Sequence, residues 1–246
     1  MDDILAGRNP VREALRAGRP LHKILMAFRL EGRAISEILA LARSQGVPVQ
    51  RVDRSVLDRV AGARHQGVVA LAAARSYVEL EDLLSLAREK GEPPFLIMLD
   101  QVEDPHNLGA ILRSAEAAGA HGIIIPRRRT AGLTPAVARA AAGALEYLPV
   151  ARVTNLSQAI VKLKKEGLWV IGAEGDGTKD AFTSDFTVPL VLVLGSEGRG
   201  LSSLVRSHCD FIVRLPMRGR INSLNVAAAA TVLMYEVVRQ RYCCQV

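Results

Sequence analysis

The second part of the chain alternates between short apolar runs and stretches in which apolar residues recur at helical spacing. Apolar runs of about four to eight residues indicate buried strands, and apolar residues three or four positions apart indicate amphipathic helices. Helical patterns such as NLGAILRSAEAAG and LSQAIVKLKKEG lie between most of the runs. The runs are FLIMLD, GIIIP, YLPVARV, LWVIGA, VPLVLVLG and FIVRLP. This alternation predicts an α/β fold with a mostly parallel sheet that helices cover on both faces.

The first 75 residues predict a smaller α/β unit. NPVREALRAG and ISEILALARSQG have helical spacing, while HKILMA, VPVQRV and QGVVALAA are typical of strands. The acidic segment that follows ends in Gly91 and Pro93-Pro94, which favours a short helix and a linker. We therefore predict a small domain over residues 1–75, an acidic linker over 76–92 and a larger domain over 93–246.

Positive charge is concentrated in the first part of the chain. The 246 residues carry a net charge of +7, and residues 1–75 hold 13 Lys and Arg against 7 Asp and Glu. Twelve of these 13 basic residues are arginines, which favours contact with a polyanion through its phosphates. A solvated surface is the competing interpretation for any one of them. Aromatic residues make up only 4%, so base stacking is not expected to dominate.

Several classes of protein are disfavoured. No apolar run approaches the roughly 20 residues of a membrane span, and MDDILAGRNP lacks the layout of a signal peptide. Cys209, Cys243 and Cys244 show no CxxC spacing, and no ligand cluster typical of a metal site is visible. We expect a cytoplasmic protein with reduced thiols and no metal.

Ligands of parallel sheets bind beyond the carboxyl ends of the strands, so the loops that follow the strands are the candidate sites. In the first such loop, LDQVEDPHNLGAILRSAEAAGAHG, a helix begins soon after Asp100, and Asn107 is its predicted N-cap. Arg113 falls off the apolar stripe of that helix. The competing interpretation of Arg113 is a surface residue paired with Glu103 or Glu116.

The second loop, VLVLGSEGRGL, places three glycines directly after a strand. Gly195, Gly198 and Gly200 surround Ser196 and Glu197. Glycines allow backbone amides to approach a ligand closely. The spacing matches neither the dinucleotide pattern GxGxxG nor the phosphate loop GxxxxGK[ST]. A plain strand-to-helix turn remains the competing interpretation.

The third loop, LPMRGRINSLNVAAAA, precedes the last helical pattern. That helix begins near Asn225, and either Ser223 or Asn225 would be a good N-cap. Capping alone leaves Asn222, Leu224 and the basic residues of the loop unexplained.

Together, these three loops resemble the three motifs of the SpoU (TrmH-like) ribose methyltransferases of the SPOUT superfamily, in the family's order and at its spacing. GRNPVREAL and HQGVVA resemble the small substrate-binding domain of the bacterial members that methylate a guanosine 2′-hydroxyl in 23S rRNA. The resemblance covers nearly the whole chain. Ala227 departs from it, since the rRNA enzymes often have serine there. The resemblance to the family implies an RNA substrate-binding domain over 1–75 and a methyltransferase domain over 93–246.

The resemblance also implies features that the composition does not show. SPOUT enzymes are homodimers, and their C-terminal region forms a deep trefoil knot whose loops hold S-adenosyl-L-methionine. Carried onto this chain, the cofactor contacts are Gly195, Leu215 and Leu224.

Five polar residues of the three motifs are the implied catalytic set. They are Asn107, Arg113, Glu197, Ser223 and Asn225. A ribose hydroxyl is a weak nucleophile until it is deprotonated or polarised. We expect the two asparagines to orient groups by hydrogen bonds, and Glu197 and Ser223 to hold Arg113 and the loops in place. Arg113 either activates the hydroxyl or, since guanidinium stays protonated, binds phosphate and stabilises the developing alkoxide.

The leading hypothesis is therefore a 2′-O-methyltransferase of RNA, with 23S rRNA as the expected partner. A tRNA ribose methyltransferase is the alternative within the class. A non-catalytic RNA-binding or ribosome-assembly protein is the alternative outside it. No membrane or DNA partner is expected.

Overall fold

The structure, a computed structural model, describes residues 3–73, 75–220 and 222–243. Cys244 and Ile221, which belong to the cysteine pair and the third loop, lie outside these residues. The chain divides into two compact units. The first contains the residues up to Ser76 together with Leu133–Tyr147, and the second contains Tyr77–Gly132 and the residues from Leu148 onwards.

Strands and helices alternate along the chain. The elements up to Ala72 are β1 (Asp3–Ala6), α1 (Arg8–Arg16), β2 (Leu21–Ala27), α2 (Arg33–Ser44), β3 (Val49–Val52), α3 (Arg54–Ala61) and β4 (Val68–Ala72). Next come α4 (Leu80–Lys90), β5 (Phe95–Leu99), α5 (Pro105–Ala117), β6 (Gly122–Pro126), α6 (Pro135–Ala140) and β7 (Val150–Val153). The last are α7 (Leu156–Lys165), β8 (Trp169–Ala173), β9 (Lys179–Asp180), β10 (Leu190–Leu194), α8 (Ser203–His208), β11 (Phe211–Arg214) and α9 (Val226–Val238), which a π-helical turn (Arg239–Cys243) follows.

The first unit is a small α/β layer, as predicted. Over the described residues its sheet has the order β1-β4-β2-β3, with β3 parallel to β2 and β4 antiparallel to both of its neighbours. Val11 of α1 and Ile38 of α2 pack on one face, and Leu57 of α3 packs on the other. The structure adds strand β1 and helix α3 to the predicted elements. Two of the four residues of β1 are only partly buried, and α3 has one buried residue, Leu57, so neither forms a clear apolar pattern.

The second unit contains the predicted parallel sheet. Over the described ranges the strand order is β7-β6-β5-β10-β8-β11-β9, and each neighbouring pair is parallel. Every residue of β5 and β10 is buried, which explains why these strands are continuous apolar runs. The prediction of an α/β fold with a mostly parallel sheet is confirmed.

Helices cover the second sheet on both faces. Leu83 of α4 and Leu163 of α7 pack with Val191 of β10 in one buried cluster. Helices α5 and α9 pack against each other, and the hydroxyl oxygens of Ser114 and Thr231 lie 2.8 Å apart between them. Since successive residues of a strand point to opposite faces, the two helix layers enclose the sheet.

The two units differ from continuous ranges of the sequence at two places, the acidic segment and Leu133–Tyr147. The acidic segment forms the predicted helix as α4, in which the Asp82 carboxylate accepts from the Glu79 N–H at 2.9 Å. Leu80 and Leu83 of α4 are buried in the core of the second unit, so this helix is an integral part of that core. Leu133–Tyr147 groups with the first unit. The functional division into 1–75, 76–92 and 93–246 stays a prediction.

A buried arginine near the C-terminus ties the two central strands together. Arg241 is 7% exposed. Its guanidinium donates to the carbonyls of Pro93 at 2.7 Å and Pro94 at 3.2 Å, just before β5. It also donates to Phe186 at 3.1 Å and Val188 at 2.6 Å, just before β10. The same side chain therefore holds the entry to both strands.

We predict that Arg241→Ala lowers the free energy of unfolding by roughly 2 to 4 kcal/mol, because it leaves buried carbonyls without donors. Urea unfolding of the full chain measures this loss. The control is Arg88→Ala, since Arg88 is exposed and pairs with Glu166 at 2.7 Å. That variant should change stability by less than about 1 kcal/mol. Equal effects of the two variants would contradict the role given to Arg241.

Candidate active site

A cavity lies where the loops after β8, β10 and β11 meet. Its volume is about 440 Å³, within the range of small-molecule sites. The predicted cofactor contacts Gly195, Leu215 and Leu224 all line it, as do the predicted catalytic residues Glu197 and Ser223. The structure therefore brings residues from the second and third predicted loops to one place.

The loop after β10 closes on itself. The N–H of Ser196 donates to the carbonyl of Gly200 at 3.1 Å, and the N–H of Gly200 donates back to Ser196 at 3.0 Å. A Cβ on Gly195 would collide with the backbone of Gly200 and Leu201. We expected glycine here to admit a ligand, but Gly195 is required first by the loop's own closure.

Glu174, which is not among the predicted site residues, holds this loop through a hydrogen bond to its backbone. Glu174 follows β8, accepts from the N–H of Leu201 at 2.7 Å and pairs with Arg206. Arg206 also lies 3.1 Å from Asp176, a contact that lowers the pKa of the Asp176 carboxyl and raises the pKa of Arg206. Glu174 follows a predicted strand directly, so the rule that selected the other loops would have selected it.

Three of the predicted catalytic side chains form one hydrogen-bonded cluster. The Asn225 amide donates to Asn107 Oδ1 at 2.9 Å and to Glu197 Oε1. Glu197 Oε1 also accepts from the N–H of Val226 at 3.1 Å. Asn225 caps α9, because its Oδ1 accepts from the N–H groups of Ala227 and Ala228 at 3.0 and 3.3 Å. The cluster thus joins α5, the β10 loop and the start of α9.

The predicted capping role of Asn107 is wrong. Helix α5 begins with Pro105, and Asp104 is its N-cap, accepting from the N–H of His106 at 3.0 Å. Proline fits the first helical position because it has no N–H to satisfy. Asn107 consequently lies within the first turn, where its side chain is free to reach Asn225.

Arg113 lies apart from this cluster, whereas Ser223 lines the 440 Å³ cavity together with Glu197. Arg113 is exposed on α5 and lines neither the 440 Å³ cavity nor the smaller one beside Asn107. It forms no ion pair with Glu103, Glu116 or another described carboxylate. At about 100° per residue, Arg113 and Asn107 point to different sides of the helix. Glu197 was expected to hold Arg113, but in this chain it holds Asn225 instead.

A smaller cavity of about 270 Å³ adjoins the first one through shared lining residues. Asn107 lines this smaller cavity, while Ser196, Glu197 and Arg199 line both. Gln101, at its rim, has a backbone φ of 62°, a strained value for a residue other than glycine. Two adjoining cavities with a polar cluster between them suit a reaction between two bound molecules.

The larger cavity has the chemistry of a site for S-adenosylmethionine. The hydroxyl oxygen of Ser196 is buried and has no hydrogen-bond partner among the described residues, which a polar ligand would supply. Leu215 and Leu224 offer apolar contact, and the Glu197 carboxylate favours positive charge. Across the described ranges, no group of His, Cys, Asp or Glu could hold a metal ion.

These features define an α/β enzyme in which loops at the carboxyl edge of a parallel sheet hold a cofactor beside a polar cluster. Residues 94–235 match the SpoU rRNA Methylase family. Residues 4–78 match the RNA 2′-O ribose methyltransferase substrate binding family. The chain belongs to the SpoU (TrmH) family of RNA methyltransferases.

Relatives and solved structures agree with this assignment. YacO of Bacillus subtilis (strain 168), assigned to the TrmH family of tRNA/rRNA methyltransferases, is 48% identical over 239 residues, covering 97% of this chain and 96% of YacO. The SpoU methyltransferase AviRb of Streptomyces viridochromogenes, solved with AdoMet, has a TM-score of 0.82 at 29% identity, covering 98% and 90% of the two chains.

A third similar protein is an rRNA methyltransferase of Sinorhizobium meliloti, also solved with AdoMet. It has a TM-score of 0.79 at 27% identity, covering 97% of this chain and 87% of that chain. The resemblance based on the three loops is confirmed at the level of the family. S-adenosylmethionine, the predicted cofactor, is bound in both of these solved structures.

We predict that Asn225→Ala destabilises the protein more than Asn155→Ala. Asn155 caps α7 by accepting from the N–H groups of Ser157 and Gln158 at 2.9 and 3.2 Å. Its loss should cost about 1 kcal/mol. Asn225→Ala removes a cap and also the bonds to Asn107 and Glu197, so about 2 to 3 kcal/mol is expected in urea unfolding. Equal losses would mean that those two bonds contribute nothing to stability.

Proposed function

We propose that this protein transfers the methyl group of S-adenosyl-L-methionine to a ribose 2′-hydroxyl of RNA, and that its substrate is a guanosine of 23S rRNA. The observation that carries the proposal is the cavity lined by Gly195, Leu215 and Leu224, which adjoins the Asn107–Asn225–Glu197 cluster.

The cofactor site is the larger cavity. S-adenosylmethionine supplies a methyl group on a positively charged sulfur. Gly195, Leu215 and Leu224 hold the cofactor through backbone groups and apolar contact, and the Ser196 hydroxyl offers a hydrogen bond. Glu197, which belongs to the cluster, lines both cavities, and its carboxylate favours the cationic donor.

Asn107 is the asparagine that contacts the ribose. All hydrogen-bonding groups of the Asn225 side chain are engaged, with its Nδ2 bonded to Asn107 and Glu197 and its Oδ1 bonded to the start of α9. The Oδ1 of Asn107 is occupied by Asn225, which leaves its Nδ2 to donate into the 270 Å³ cavity. Asn225 and Glu197 therefore act as positioning residues, and Ser223 contributes its hydroxyl from the cofactor side.

Arg113 acts on the reacting hydroxyl by its positive charge. Because it lies away from the cluster of its own chain, we infer a homodimer in which Arg113 of a second copy completes the site. Val232 and Tyr235 of α9, which are 38% and 48% exposed, support an apolar contact between copies next to α5. A protonated guanidinium there binds a phosphate and stabilises the developing alkoxide.

The trefoil knot and a cytoplasmic location belong to the same proposal. Tight backbone packing supports the knot: a Cβ on Gly177 would lie 2.5 Å from the carbonyl carbon of Val213, and one on Gly195 would meet the backbone of Gly200. None of the described helices has both the length and the apolar character that a membrane crossing requires.

The first unit supports rRNA over tRNA as the substrate. Residues 4–78 match a family defined by substrate binding, and the S. meliloti rRNA methyltransferase aligns with 97% of this chain, so the likeness includes that unit. The tRNA/rRNA description of the YacO family keeps tRNA as the second candidate.

We predict that Arg113→Ala retains S-adenosylmethionine binding by calorimetry but loses methyl transfer by roughly 100- to 1,000-fold. Arg113→Lys should keep part of the activity, because it keeps the charge. Arg88→Ala, an exposed arginine on α4, serves as the control with unchanged turnover. Near-normal turnover of Arg113→Ala would remove this residue from the catalytic set.

Mass-spectrometric mapping of ribose methylation, with and without the protein in its native cell, identifies the substrate. We expect loss of one 2′-O-methylguanosine in 23S rRNA and its return when the purified protein and S-adenosylmethionine are added. Loss of a tRNA methyl group instead would favour the second candidate. Unchanged rRNA and tRNA, together with no cofactor binding, would identify a non-catalytic RNA-binding protein.

A further inference from the structure

A cavity of about 600 Å³ lies in the first unit and shares no lining residue with the two cavities of the candidate active site. It opens at the edge of the sheet where the parallel strands β1, β2 and β3 end and β4 begins. Its polar and aromatic lining consists of Arg8, Phe28, Asp53, Arg54 and Gln66. The loops after parallel strands are the usual place for a ligand in such sheets.

Phe28 presents an aromatic face to this cavity. It follows β2 directly, is 56% exposed and makes no ring contact with a described residue. The backbone beneath it is fixed, since the N–H of Ala27 donates to Gly67 at 2.9 Å. An exposed ring on a fixed support in a concave surface is the feature on which an unstacked base is held.

The arginines at this edge lack acidic partners. Arg8 and Arg54 form no ion pair with any described carboxylate, although Asp53 lines the same cavity. At the opposite edge of the sheet, by contrast, Arg19 pairs with Asp3 at 2.7 Å, and Arg75 pairs with Glu146. The positive charge left uncompensated in this unit therefore includes both arginines of the cavity, as phosphate binding requires.

The rim of the cavity is held in a strained backbone conformation. Gln66, which lines the cavity, and Arg29, which follows Phe28 in the sequence, have φ values of 50° and 57°, although neither is a glycine. The buried ring of His65 accepts from the N–H of Gly67 at 2.9 Å, and its other nitrogen lies 3.0 Å from Asp58. Such strain persists where the surrounding structure imposes it, and it is typical of ligand sites.

We propose that this cavity binds a single unstacked nucleotide of the substrate RNA. Its base stacks on Phe28, and Arg8 and Arg54 bind the phosphates on either side. Asp53 and the amide of Gln66 offer an acceptor and a donor to the base edge. The inference rests on the proposed RNA substrate, and it adds a recognition site separate from the ribose that is methylated.

The stacking contact is tested with Phe28→Leu and Phe28→Tyr in the full chain. The probe is an unmodified 23S rRNA transcript without S-adenosylmethionine, and affinity is measured by fluorescence anisotropy. Phe28→Leu keeps apolar area but loses the ring, so affinity should fall roughly 10- to 100-fold. Phe28→Tyr should bind like the original protein. Equal affinity of the leucine and tyrosine variants would overturn the proposal, provided that both unfold at the original temperature.

The phosphate contacts are tested by salt dependence. Arg8→Ala and Arg54→Ala should each reduce the slope of log affinity against log salt by roughly 0.7, whereas Phe28→Leu should leave the slope unchanged. The matched control is Arg43→Ala, because Arg43 is an exposed arginine without an ion pair in the last turn of α2, at the opposite edge. An equal change of slope in Arg43→Ala would show diffuse attraction without a discrete site.

Methylation of the same transcript separates this inference from the proposed function. If Phe28→Leu weakens binding while the original protein transfers no methyl group, the cavity stands and the proposed function fails. If the original protein methylates the transcript and Phe28→Leu does so with the same KM, the function stands and the cavity inference fails. If Phe28→Leu weakens the binding of tRNA but not of the 23S rRNA transcript, the inference fails for 23S rRNA.

Discussion

The side-chain amide of Asn225 is the interaction on which the geometry of the site depends. It donates to α5 through Asn107 and to the β10 loop through Glu197, and it accepts from the first turn of α9. Only a short primary amide has both two donors and an acceptor at this length. Asn225 therefore both caps the start of α9 and holds the catalytic cluster in place.

The strand order of the second unit brings the partners of that amide together. Strands β5, β10, β8 and β11 are consecutive neighbours in one parallel sheet, so the loops after them emerge at one edge. The loops that supply Asn107, Glu197 and Leu215 are distant in sequence and adjacent in space for this reason. Arg241 ties β5 and β10 at the other end, where both strands begin.

Much of the second unit could be predicted from the sequence, because its strands are buried on both faces and are continuous apolar runs. Asn107 is a good capping residue by type, but Pro105 fixes the start of α5, so the cap is Asp104, three residues before Asn107. Glu174 follows a predicted strand, which is the signal that points to the other loops, but it lies outside the three motifs of the family resemblance. The separation of Arg113 from Asn107 follows from helix geometry, but the sequence does not tell which side of α5 faces the cluster.

The pairing of arginines in the first unit changes how its charge acts at a distance. Arg19 and Arg75 are cancelled locally by Asp3 and Glu146, whereas Arg8 and Arg54 are not. The charge of this unit that no neighbouring carboxylate cancels therefore includes the Phe28 edge, and it attracts a polyanion from a distance. A long RNA would be drawn to that edge before contact, and the range of this attraction would shorten as the salt concentration rises.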